Sequence, residues 1–212
     1  MSTTAAPARR RTQAERSAAT QARLLDAALQ CLVELGYAGT TTTVVAERAG
    51  VSRGAQLHHF PTRAALVAAA VEHLYARLTE AYQAGFARLP RGADRLRAAI
   101  DLLWSMFTEP RYAAVLELFT AARADRELRD HLRPIAERHQ ANVYRLAHRY
   151  FPEAARLGRA FDAVLTLVLD AMQGMASTRM VHDHGPSETD RLDTLYHIAA
   201  RALAPPRSRR MT

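Results

Sequence analysis

Apolar positions recur every three to four residues along almost the whole chain, and no segment alternates with period two. Leu25, Ala28, Leu29, Leu32 and Leu35 share one stripe, which predicts a helix from about Ala18 to Leu35. Gly36 supplies its stop, because glycine enters the left-handed region at little cost. The threonines Thr40 to Thr43 offer a hydroxyl cap to a short helix ending near Ala49, with Val45 and Ala46 facing inward. Gly50 closes that helix and Ser52 caps the next, about two turns long. Pro61 cannot continue it, and Thr62 caps a long helix through "RAALVAAAVEHLYARLTEAYQAGFARL". Beyond Pro90 to Gly92, helices are expected at about 93–107, 110–123, 126–149, 153–181 and 188–203, with Pro134 kinking or splitting the one that contains it. The fold class is therefore all-α, with about nine helices: three in front, then a larger bundle.

Composition narrows the function classes. At 212 residues the chain can bury a sizeable core, and 49% of it is hydrophobic. No apolar run approaches the roughly 20 residues that span a bilayer. The basic N-terminus leads into no apolar core and does not read as a secretory signal. The lone Cys31 excludes an internal disulfide framework and fits a reducing compartment, so a cytoplasmic protein is expected. All 29 basic residues are Arg, and the net charge of +8 attracts polyanions over about a Debye length. Arg9, Arg10 and Arg11 form either a solvated arm or a DNA-tracking one. Residues 1–17 and 205–212 are expected to be disordered tails.

The stretch "AGVSRGAQLHHFPTRAAL", residues 49–66, carries the candidate chemistry. Two short helices joined by a glycine-containing turn form a helix-turn-helix when the second enters the major groove, about 12 Å wide. Ser52 would leave backbone N–H groups pointing at a phosphate. Gly54 and Ala55 let the backbone approach bases. Arg53, Gln56 and His58 offer donors, Thr41 and Thr42 face the opposite backbone, and Arg63 clamps a phosphate from the following helix. Adjacent His58 and His59 point about 100° apart, which disfavours a metal site; one imidazole suits the DNA and the other a packing hydrogen bond. His182, Asp183 and His184 lie in a Gly-Pro loop and read as solvated, and Cys31 as a buried, inert thiol. No metal or cofactor site is assigned.

"GYAGTTTTVVAERAGVSRGAQLHHFPTRAAL" resembles the DNA-binding segment of the TetR (tetracycline-repressor) family of bacterial regulators. The likeness rests on Gly36-Tyr37, the threonines, Ala46, Ala49-Gly50-Val51-Ser52, His59-Phe60, and a basic residue at 63 before Leu66. It implies an N-terminal three-helix helix-turn-helix domain at 18–78, with the motif at about 41–60. A long helix would join it to a ligand-binding and dimerisation bundle at 79–204. Homodimers, a palindromic operator and release by a small hydrophobic or amphipathic ligand follow from the same likeness. So does a role as repressor. One departure stands out: the family usually carries Leu-Tyr after the small residue at 55, and here Gln56-Leu57 follows. Either Gln56 takes over readout while Leu57 and Phe60 fasten the helix to the core, or Leu57 meets a thymine methyl. A helical wheel groups Leu57 with Phe60 and favours the first.

In the rear bundle, Trp104, Phe107, Phe119, Tyr144, Leu165 and Met172 are candidates either for ordinary core or for a ligand cavity. The resemblance assigns the last two long helices to a dimeric four-helix bundle, with Ala171, Gly174, Ala176 and Ala199 allowing close approach and Leu165, Leu169 and Leu195 supplying burial. No P-loop, G-x-S-x-G or H-E-x-x-H occurs, so an enzyme is not expected. The alternative is a DNA-organising or scaffold protein whose bundle binds another protein.

Overall fold

The computed structural model describes residues 12–182, 185 and 187–204. The basic arm around Arg9 to Arg11, the tail from 205 and the loop residues Asp183 and His184 lie outside the described residues. Among the described residues 84% are helical, in ten helices, and there is no strand. In order they are α1 (Gln13–Gly39), α2 (Thr42–Ala49), α3 (Arg53–His59), α4 (Arg63–Ala87) and α5 (Arg95–Phe107). Then follow α6 (Pro110–Ala121), α7 (Arg126–Tyr150), α8 (Pro152–Ala155), α9 (Arg159–Arg179) and α10 (Ser187–Leu203).

Local chemistry fixes most of these ends. The side chains of Thr41, Ser52, Thr62, Asp94 and Asp125 each accept an N-terminal backbone N–H of the helix they precede. Gly50 sits in the left-handed region (φ 61°, ψ 40°), and Val51 N–H reaches back to the Ala46 carbonyl at 3.0 Å. That closure turns the chain sharply from α2 into α3.

Four elements depart from the expectation. α1 starts at Gln13 rather than Ala18, because Thr12 and Glu15 form a reciprocal capping box, so residues 13–17 are helix instead of tail. Gly36 breaks α1 as expected (φ 65°, ψ −178°), but a further turn follows it. Leu35, just ahead of that break, is exposed instead of joining the stripe. Pro134 leaves α7 whole: both Pro134 and Asp130, whose carbonyl loses its N–H partner, are exposed, so water can take the freed group. The segment expected as one helix at 153–181 divides into α8 and α9 at Gly158, which adopts φ 56°.

α4 is the spine. Leu66, Val67, Val71, Leu74 and Leu78 are buried along it, each such side chain stabilising the fold by about 1.5–3 kcal/mol. It packs on α1 at one end and on α5 and α7 further along, while α1 lies against α6. One continuous core runs from Leu24 and Phe60 at the front to Met172 and Ala199 at the back. α2 packs on α1, and α3 on α2, so the two short helices stand at the front of this body.

Candidate nucleic-acid interface and ligand cavity

α3 presents one exposed face. Arg53, Gly54, Leu57 and His58 fall within about 140° of arc at 100° per residue, and all four are exposed. A Cβ built on Gly54 would meet nothing within 4 Å, so its backbone is open to close approach. Ala55 and His59 flank this face and are half-buried. Ser52 Oγ accepts the Ala55 N–H at 3.3 Å, and Thr41 Oγ1 accepts the Val44 N–H at 3.2 Å. Ser52 and Thr41 are exposed, and Thr42 is half-buried at the start of α2.

Two of the residues expected at DNA take other roles. Gln56 has 0% of its surface exposed and Leu57 has 43%. Gln56 and Phe60 are four residues apart and share the inward face. Gln56 Nε2 donates to the Phe60 carbonyl at 2.7 Å, satisfying a carbonyl that the helix end leaves over. Gln56 Oε1 is buried with no partner among the described residues. The register in which Gln56 reads the groove and Leu57 packs inward is thus corrected: Leu57 points out, and Gln56 fastens α3.

Arg63 has a partner that the sequence did not suggest. Its guanidinium donates to the Tyr37 carbonyl and stacks on the Tyr37 ring, with Nε buried. The side chain that was expected to clamp a phosphate rests on the end of α1.

Tyr37 itself, absent from the sequence candidates, joins the front to the bundle. Its N–H donates to Glu117 Oε1 on α6, and its hydroxyl donates to Asp125 Oδ2, each at 2.8 Å. Burial, followed by the Asp125 hydrogen bond, pushes the hydroxyl up to about 12. The Leu128 N–H and then the Tyr37 hydroxyl hold the Asp125 carboxyl below the usual carboxylate range. Asp125 caps α7, so one aromatic residue ties α1 and α4 to the start of a bundle helix. The Gly36-Tyr37 pair was visible in the sequence, but its partners lie 80 and 88 residues away.

The bundle holds a partly open cavity of about 130 Å³. Its wall comes from α4, α5, α7 and α9, with Tyr112, Phe151, Ala199 and Leu203 completing it. Phe107 and Tyr112 meet edge to face at 4.6 Å, and Phe86 and Tyr150 pack at 4.3 Å behind Tyr82 and Phe151. Of the six expected ligand residues, Phe107 and Leu165 line it. The other four lie outside the lining. Trp104 is turned toward α10, its Nε1 donating to Glu188 Oε1 at 3.0 Å. The Tyr144 hydroxyl bonds the Thr166 hydroxyl, Met172 is fully buried in the core, and Phe119 edges a separate open groove beside Gln173. Helical periodicity identifies apolar residues but does not say which of them border a gap. Cys31 is fully buried, and burial pushes its thiol up.

Residues 24–70 match the family described as bacterial regulatory proteins, tetR family. The HTH-type transcriptional regulator CymR of Pseudomonas putida is 36% identical over 168 residues, covering 79% of this chain and 83% of that protein. The chain belongs to the TetR family. A Mycobacterium tuberculosis HTH-type transcriptional regulator is similarly 31% identical to this TetR-family chain over 91% of its length and 99% of the relative's. Among solved structures, the multidrug binding protein EbrR complexed with imidazole covers 89% of this chain and 97% of its own at 21% identity and a TM-score of 0.62. FadR from Bacillus subtilis in complex with stearoyl-CoA covers 85% and 98% at 15% identity and 0.64. This TetR-family protein is a transcriptional regulator, and its relatives are not enzymes. No helix among the described residues is long and apolar enough to cross a membrane.

Proposed function

We propose that this regulator is a cytoplasmic homodimeric repressor that binds a palindromic operator through α3 and releases it when a small apolar molecule occupies the bundle. The single observation that carries the reading is the exposed face of α3, held off the bundle by the Gly50 turn and Ser52 cap. Arg53 and His58 bring donors to that face, Gly54 allows close approach, and Leu57 supplies an apolar contact suited to a thymine methyl. The Thr41 and Ser52 hydroxyls accept within their caps, which leaves each hydroxyl hydrogen to donate to a phosphate. The division into a reading domain at 18–78 and a sensing domain at 79–204 falls within α4, which carries motion between them as one rigid element.

A single helix of two turns buries too little to hold an operator, which favours pairing of two copies. α9 and α10 suit that role: Leu167 is 68% exposed and Ile198 61% exposed. Ala171 and Gly174 are exposed on the same helix as Leu167. Ala176 and Ala199, expected at the contact, are instead buried in the chain's own core, and Leu165 and Leu169 line the cavity. In the binding-competent dimer the two α3 helices sit one helical turn apart, about 34–36 Å. A ligand preferring a bundle shape that swings α4 spoils that spacing. Coupling of about 1–3 kcal/mol changes operator affinity by about 5–150-fold.

Fluorescence anisotropy on DNA taken from upstream of the protein's own gene tests this. Ligand-dependent release of a sequence-preferring complex is expected. Binding governed by salt alone, with no sequence preference, would favour a DNA-organising protein whose bundle docks another protein.

A further inference from the structure

The bundle cavity is lined mostly by apolar side chains. At about 130 Å³ it is close in size to an engineered apolar cavity of about 150 Å³ in another protein that stays dry and binds benzene. Leu78, Ile100, Leu103, Met106, Val164 and Val168 set its character. Among the described residues, no Asp, Glu or Arg lines it.

The polar groups that reach the wall are Thr79, Tyr82, Tyr112 and His139. Thr79 Oγ1 already accepts from Asn142 Nδ2 at 3.2 Å, and the Tyr112 hydroxyl donates to Gln173 Oε1 at 3.4 Å. His139 stacks on Tyr75 with ring centres 3.7 Å apart and planes 6° from parallel. Burial pushes both tyrosine hydroxyls up and holds the His139 imidazole down at about 4, so all four groups are neutral near pH 7. Charge is kept to the outside. Thr79 and His139 also border an open groove between α4 and α7, and there the rim carries Glu72, Glu80 and Arg138.

We propose that this cavity binds a compact, uncharged, predominantly hydrocarbon molecule about the size of one aromatic ring, with room for at most a hydroxyl-sized polar group, and discriminates against carboxylate and ammonium forms of the same skeleton. The proposal rests on the reading that the bundle senses a small molecule and names the chemistry of what it senses. A charged group entering here would leave water and meet no counter-ion, whereas an apolar ring gains contacts along the apolar wall. A long acyl chain would have to extend beyond the walled space.

The experiment is calorimetric titration of the full chain at pH 7 with toluene, benzyl alcohol, benzoate, benzylammonium and 1-decanol. Toluene and benzyl alcohol are expected to bind at least tenfold more tightly than either ion and than 1-decanol. Val164→Phe, which fills the cavity, is expected to weaken toluene at least tenfold while still melting cooperatively; Ala99→Leu is the second occluding variant if V164F does not fold. Equal or tighter binding of benzoate or benzylammonium overturns the proposal, as does preference for 1-decanol, absence of binding by every probe, or toluene binding indifferent to both occlusions. Operator binding is followed in parallel. Toluene that binds without releasing the operator counts against ligand control and leaves the cavity chemistry standing; release by a charged probe that outcompetes toluene overturns the cavity chemistry alone.

Discussion

The guanidinium carbon of Arg63 lies 3.8 Å from the centre of the Tyr37 ring. The same group donates to the Tyr37 carbonyl, so the first residue of α4 is bolted to the end of α1. Tyr37 in turn holds Glu117 and Asp125, which makes this contact one of the ties between the front helices and the bundle.

Arg63→Ala is therefore expected to cost about 1–3 kcal/mol of stability through the lost stacking and hydrogen bond. Lys at this position lacks the planar fork and should not restore it. The salt dependence of DNA binding should stay as in the unaltered protein, whereas Arg53→Ala should reduce its slope by about one. Urea unfolding and anisotropy over a salt series measure both. A flattened slope for R63A with unchanged stability would return Arg63 to the phosphate.

Gln56 and Leu57 make opposite predictions. Gln56→Ala leaves the Phe60 carbonyl without its donor and should cost about 1–3 kcal/mol, with the ranking of single-base operator variants unaltered. Leu57→Ala should leave stability within about 0.5 kcal/mol and change that ranking at one position in each half-site. Reordered preference in Q56A together with an indifferent L57A would reverse the assignment.

His139 contributes a pH dependence of known sign. Burial holds its folded-state value near 4, below the ordinary 6.5. Between those values the unfolded chain binds a proton that the folded chain does not, so stability falls as pH drops from 6.5 toward 4 and is unaffected by this group above 6.5. The effect is on the order of 3 kcal/mol at most. His139→Phe keeps an aromatic partner for Tyr75 and removes the titration. Denaturant melts across pH 4 to 7 should show a flatter profile for H139F; parallel profiles would mean that His139 is solvated.

Leu167→Asp or Ile198→Asp places a charge on the outward face of α9 or α10. Sedimentation should then find single subunits, and operator affinity should fall by about tenfold or more, because one reading helix must bind alone. A persistent dimer would move the contact elsewhere.

Local rules made much of this legible in advance. Gly50, Ser52 and Thr62 mark helix boundaries through chemistry that acts within four residues: Gly50 closes α2, and Ser52 and Thr62 open α3 and α4 where the sequence places them. Non-local facts were not legible. A wheel that grouped Leu57 with Phe60 put the wrong residue inward, since which of Gln56 and Leu57 faces the core depends on the side that α2 covers. Arg63 reads as a surface cation until Tyr37, 26 residues earlier, is brought beneath it. Gly158 splits the penultimate long segment because the chain there takes a positive φ, which an amphipathic pattern does not encode. The cavity is set by the gaps among six helices, so two of the six residues chosen from periodicity reach it.

Selection of bound sequences from random double-stranded DNA by the unaltered full chain tests the central claim most directly. An inverted repeat with half-site centres one helical turn apart, losing its preference at one position per half-site in L57A, is the predicted result. Recovery of unrelated sequences bound with equal affinity, or of a single unrepeated site, would contradict it.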